Sequence, residues 1–111
     1  MGIDQYQVIL VNLDPIPMTI GSSEIKQTRP CVVISPIEMN KYLNTLVIAP
    51  LTTSKNQYPT RVKIKYKRKT GFVVLDQIRT IDKIRIVKSL GFLTSTEIIK
   101  IKKVINEIFV L

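Results

Sequence analysis

Short apolar runs broken by polar and turn-forming residues set the first expectation. QVILVNL at residues 7–13 predicts a β-strand that Asp14-Pro15 ends. PCVVIS at 30–35 predicts a second strand, stopped before Pro36, and residues 37–44 predict a helical turn. TLVIAPL at 45–51 predicts a third strand, where Pro50 suggests a bulge or a sheet edge near its end. TRVKIKY at 60–66 alternates strictly, so Val62, Ile64 and Tyr66 face one way and Arg61, Lys63 and Lys65 the other. Residues 67–71 read as a basic turn, FVVLDQI at 72–78 as a strand and IRIVK at 84–88 as another. Thr94 and Glu97 make a capping-box pattern, followed by Ile98, Ile101, Ile105 and Ile108 on one helical face. Residues 14–28, rich in Pro, Gly, Ser and Thr, predict a long loop, and a loop of that length is more often functional or mobile than an idle connector. Five or six short strands without βαβ alternation, closed by one long helix, predict a mainly β protein: a small antiparallel barrel or half-barrel in a single domain over residues 1–111.

Charge changes this picture more than composition does. Seventeen Lys and Arg against eight Asp and Glu give a net charge of +9. Such an excess favours a polyanionic partner, whether nucleic acid, an anionic membrane or an acidic protein. With 45% hydrophobic residues the chain can bury a core, and dimerisation would cover part of what a small domain leaves exposed. No run approaches the length of a membrane span, no signal peptide is evident, and the single Cys31 fits a reducing cytoplasm. The chain has no histidine, which excludes Ser-His-Asp and Cys-His catalysis and, with a single Cys, argues against a zinc site. No cofactor is expected. Any catalysis must use carboxylates, hydroxyls, lysines or arginines.

Few residues qualify. Asp76 stands out among eight carboxylates because it follows Val73-Val74-Leu75 in an apolar run; it is either ion-paired, with Arg79 or Arg29 as partner, or at work in a site. Arg29, before Pro30, is either a surface arginine or a phosphate clamp, since guanidinium matches phosphate oxygens bidentately. Thr52 and Thr53 open the polar loop that runs through Lys55, and Tyr58 beyond it is the aromatic best placed to stack on a base. The basic face of residues 61–69 is either merely solvated or a track for a nucleic-acid backbone. Cys31, within Cys31-Val32-Val33-Ile34, reads as core.

Taken together, VNLDP at 11–15, GSSEIKQTRPCVVISP at 21–36, VIAPLTTSKNQYPTRV at 47–62 and GFVVLDQIRTIDKIRI at 71–86 resemble the MazF/PemK/Kid family of toxin endoribonucleases. The order is right and nearly the whole chain is covered. The resemblance implies an SH3-like twisted antiparallel barrel of the MazF/PemK/CcdB type with a C-terminal helix, working as a homodimer. It further implies metal-independent, sequence-specific cleavage of single-stranded RNA by 2′-OH attack, leaving a 2′,3′-cyclic phosphate and a 5′-OH. A cognate acidic antitoxin would occupy the RNA groove. On the matching positions the catalytic set would be Arg29, Thr52, Glu24 and Asp76, with Thr53, Lys55, Tyr58, Gln77 and Arg79 contacting substrate. Gly21-Ser22-Ser23-Glu24 is one residue longer than the family loop, and Val74 stands where some members carry a further arginine, which shifts weight to Arg29. The alternatives are an RNA-binding or inactive toxin homologue without enzymatic activity, and a gyrase poison of the same fold, whose Trp-containing tail this chain lacks.

Overall fold

The computed structural model of the chain describes residues 2–13, 27–54 and 58–110. Glu24 and Lys55 therefore lie outside the described residues, as does most of the long loop expected at 14–28.

Among the described residues, seven strands and two α-helices follow in the order β1 Gln7–Asn12, β2 Thr28–Val33, α1 Ile37–Tyr42, β3 Thr45–Thr52, β4 Arg61–Tyr66, β5 Lys69–Val74, β6 Arg79–Asp82, β7 Ile86–Phe92 and α2 Ser95–Phe109. The sheet runs β4-β5-β3-β2-β1-β7, with β6 paired to β3 beside that path, and every pairing is antiparallel. β3 is the pivot. It holds β2 along one edge, while its other edge pairs first with β6, through Thr45–Ile48, and then with β5, through Leu51 and Thr52. That change of partner bends the sheet into a half-barrel.

The same geometry corrects the expectation for Pro50. It sits in a central strand, opposite Cys31 of β2, at the gap where neither β6 nor β5 pairs with β3. A proline lacks an N–H for the ladder, and this gap is where the loss is tolerated. The strand expected over 72–78 also changes. β5 ends at Val74, a 3-10 turn takes Leu75–Gln77, and β6 follows. Asp76 is therefore exposed in a turn rather than enclosed in a strand.

Strand alternation gives the sheet two apolar faces. Val8, Val32, Leu51, Ile64, Val73 and Leu75 line the first, where α2 docks through fully buried Ile101. Ile98, Val104 and Ile105 flank that contact, while Ile108 turns outward. The second face gathers Ile9, Val11, Cys31, Val33, Leu46, Ile48 and Ile81.

Local chemistry fixes the element ends. The Thr94 hydroxyl accepts from the Glu97 N–H, and Glu97 accepts from the Thr94 N–H at 2.8 Å, so the expected capping box forms. The second carboxylate oxygen of Glu97 accepts from the Lys65 N–H at 2.7 Å, tying α2 to β4. Lys67 and Arg68 connect β4 to β5 with positive φ at both residues, 44° and 65°, the handedness of a two-residue type I′ hairpin. Gly91, at φ 133°, lies opposite Val8 beside a register shift between β1 and β7. Buried Asn40 holds α1 in place, donating to the carbonyls of Ile3 and Ser35 at 2.9 Å each.

Candidate functional site

The strand register gathers residues that are far apart in sequence. Directly opposed residues in neighbouring strands share a face. Ile9, Cys31 and Pro50 form one such row, and Val33, Ile48 and Arg79 form another. Arg29, Cys31 and Val33 alternate down β2, and Ile48, Pro50 and Thr52 down β3. Arg29, Thr52 and Arg79 thus emerge on one face, around the polar end of the second apolar cluster. Arg29 and Arg79 are exposed and Thr52 is half-buried.

Cys31 reports the two guanidinium charges from beneath. Burial pushes its thiol up to about 12, while Arg29 and Arg79 both act in the opposite direction. Desolvation of the thiolate outweighs two nearby cations, so the thiol stays neutral and donates weakly to the Arg29 carbonyl at 3.5 Å. The expectation that Cys31 belongs to the core holds.

At Thr52 the hydroxyl oxygen accepts from the Ser54 N–H at 3.2 Å, which keeps its own O–H free to donate outward. Thr53 is exposed beside it. Asp76 has neither of its expected arginine partners. The Thr60 hydroxyl donates to its Oδ1 at 2.9 Å, and the Leu75 N–H bonds the Thr60 carbonyl at 3.2 Å. These bonds lock the turn before β4 to the turn after β5 and hold the carboxylate in one orientation. The physical reason is exposure: a carboxylate in a solvated turn needs no buried counter-charge. Gln77 is exposed on the same turn, and Arg79 opens the next strand.

Tyr58 is exposed, and the Arg61 guanidinium lies over its ring at 4.7 Å. One face of the phenol ring is occupied by a cation, which leaves the other for a planar ligand. Thr60 and Arg61 were not singled out as positioning residues in the sequence. Their roles come from a turn-to-turn contact for which a linear pattern carries no signal. Phe72, one of the chain's few aromatics, gains a place that its sequence position does not signal. It stands opposite both Thr52 and Lys63, and the three form a row across β3, β5 and β4.

No three of His, Cys, Asp and Glu converge among the described residues. No helix among them is long and apolar enough to cross a membrane. What the arrangement offers is two guanidiniums on one face, a free hydroxyl and an oriented carboxylate on a strongly basic chain, a set suited to a phosphodiester.

Comparison with known proteins points the same way. A family model for PemK-like, MazF-like toxins of type II toxin–antitoxin systems matches residues 4–109. The chain is 33% identical over 105 residues to the endoribonuclease MazF of Staphylococcus epidermidis, an alignment that spans 89% of this chain and 84% of that protein. Among solved structures, MazF from Deinococcus radiodurans superposes with a TM-score of 0.80 at 19% identity, covering 100% of this chain and 99% of that one. A mycobacterial endoribonuclease in complex with its cognate antitoxin gives 0.75 at 24% identity, over 95% and 92% of the two chains. These structural matches establish the shared curled β fold with its C-terminal helix.

Proposed function

Because the chain belongs to the family of PemK-like, MazF-like toxins of type II toxin–antitoxin systems, we propose that it is an endoribonuclease that cuts single-stranded RNA with its own side chains and without a metal. The observation that carries this reading is the convergence of Arg29, Thr52 and Arg79 on one face, next to a turn that holds Asp76.

The substrate 2′-oxygen attacks the adjacent phosphorus, and the bond from phosphorus to the 5′-oxygen breaks. A 2′,3′-cyclic phosphate and a 5′-OH result. With no histidine in the chain, the acceptor of the 2′-OH proton is a carboxylate. Asp76, oriented by Thr60, is one candidate. Glu24, outside the described residues, is the other. An ordinary carboxylate, with a pKa near ~4, is a weak base at neutral pH, so charge stabilisation must supply much of the acceleration. Arg29 is suited to that role: its planar fork of N–H donors clamps the developing phosphorane charge. Arg79 adds a second cation and Thr52 a hydrogen bond to phosphate. Water then protonates the leaving 5′-oxygen. Thr53, Lys55, Tyr58 and Gln77 would meet the flanking nucleotides, Tyr58 by stacking on a base. Dimerisation and an acidic antitoxin that covers the cationic face complete the proposal.

The test is cleavage of a long unstructured RNA in EDTA, with the cut ends mapped. Discrete cuts bearing cyclic-phosphate ends are expected from the native protein, and Arg29→Ala should slow cutting by about 10²–10³. Because Arg29 is exposed, that variant should keep its stability to within ~0.5 kcal/mol. RNA that is bound but left intact by the native protein would overturn the reading in favour of a binding module.

A further inference from the structure

A second cationic feature lies away from Arg29. β4 is an outer strand of the sheet, and α2 runs beside its unpaired edge. Between them is a cleft of about 330 Å³. Arg61, Lys63, Lys100 and Lys103 line it, over Val62 and Val104, and among the described lining residues Glu107 is the acid that opposes these four cations. No ion pair holds any of the four among the described residues. The Arg61 charge is the least compensated: its contact is the Tyr58 ring, and its Nε is buried without a hydrogen-bond partner. Gathering four like charges costs free energy unless an anion relieves it.

Lys63 belongs both to the cleft and to a cross-strand row that starts at the candidate site. The row Thr52, Phe72 and Lys63 crosses three neighbouring strands on one face. At the usual strand spacing, that row carries a ligand roughly 10 Å from the candidate cleavage point to the rim of the cleft. Phe72 is half-buried midway, and Tyr58 flanks the far end. Alternating aromatic rings and cations along a shallow path are what a single strand needs, for its bases and its phosphates respectively.

We propose that the cleft between β4 and α2 is an exosite for the single-stranded RNA flanking the cut, with Lys63, Lys100 and Lys103 holding backbone phosphates. The proposal rests on the RNA-cutting reading above and adds a second binding surface to it. An acidic peptide shares the charge but makes no use of the aromatic row, and it is an alternative for the test to decide.

The decisive variant is Lys100→Glu with Lys103→Glu in the full chain. Both side chains are exposed on α2, outside its buried face. Two substrates are compared: a short oligonucleotide limited to the cleavage sequence, and the same sequence inside a long unstructured RNA. On the long RNA the variant should lose about tenfold in kcat/KM, through KM, and its salt slope should fall by about 1.4, the loss of two phosphate contacts. On the short oligonucleotide it should stay within about twofold of the native protein, the range of a uniform surface-charge effect. Lys100→Gln with Lys103→Gln should show the same selectivity at smaller size. An equal loss on both substrates, or none on either, overturns the exosite.

Equilibrium binding of the long RNA, measured by anisotropy in an Arg29→Ala background, separates this idea from the activity. If the native protein cuts no RNA, the RNA-cutting reading fails. The exosite survives only if the double variant still weakens RNA binding. Loss of binding to a polyglutamate peptide with RNA binding unchanged would reassign the cleft to an acidic polypeptide and overturn the proposal.

Discussion

Cys31 lies two residues from Arg29 on the same face of β2, fully buried, with its thiol pushed up to about 12. An acid whose folded pKa lies above its unfolded value, 9.0 here, holds its proton more tightly when folded. Its contribution to stability is therefore constant below pH 9 and is lost as pH rises from there towards 12. Cys31→Ala should flatten that decline, by at most ~1.4 kcal/mol per pH unit, in urea titrations run at successive alkaline pH values. The native thiol should also resist alkylation at neutral pH unless the protein is unfolded. Fast labelling of the folded protein would contradict its burial. At this scale the sequence was informative about residue type and uninformative about company. Cys31 was legible as core because apolar neighbours surround it in the chain. The grouping of Arg29, Thr52 and Arg79 was not legible from periodicity, because it depends on the register of β3 against both β2 and β6. Each position drew attention by residue type, but only the resemblance to a toxin family joined them into one set. Asp76 misled because an apolar run followed by a carboxylate reads the same whether the strand continues or ends in a 3-10 turn.

Among the elements, the β4–β5 hairpin runs against local preference. Lys67 and Arg68 both occupy the left-handed region that asparagine and glycine fill at low cost. Replacing them with Lys67→Asn and Arg68→Gly should stabilise the protein by about 1 kcal/mol, read as a raised urea midpoint with an unchanged m-value. A lowered midpoint would show that the two side chains contribute more through contacts than their backbone costs. The turn's position was readable because the strict alternation of residues 60–66 stops there, but its tightness was not, since neither residue signals a type I′ turn. β6 escaped notice for a different reason: four residues are too few to show a period. α2 was legible because its cap and its apolar stripe agree, except that Ile108, expected on the stripe, turns outward.

At the scale of the whole molecule, the charge of +9 governs how the protein meets RNA. Most of these cations stand on exposed strand faces and on the solvent side of α2. For four phosphate contacts shared between the candidate site and the cleft, log kcat/KM on long RNA should fall linearly with log salt, with a slope of about −2.8. A slope near zero would mean that non-ionic contacts dominate. The barrel and its closing helix were expected from strand lengths and the missing βαβ alternation. The strand order was not, because pairing is settled by contacts between distant segments.

The edge of β4 has one more consequence. An open strand edge invites the same edge of another molecule, and growth by that route ends in fibrils. Here Glu97 occupies the outward N–H of Lys65, and Arg61, Lys63 and Lys65 line the strand with charge. Two copies that approached edge to edge would bring six cations together and would find one rung of the ladder already filled. The residues that suit this edge to a polyanion also act as gatekeepers against self-assembly, so the protein can reach high local concentration without polymerising along its own sheet.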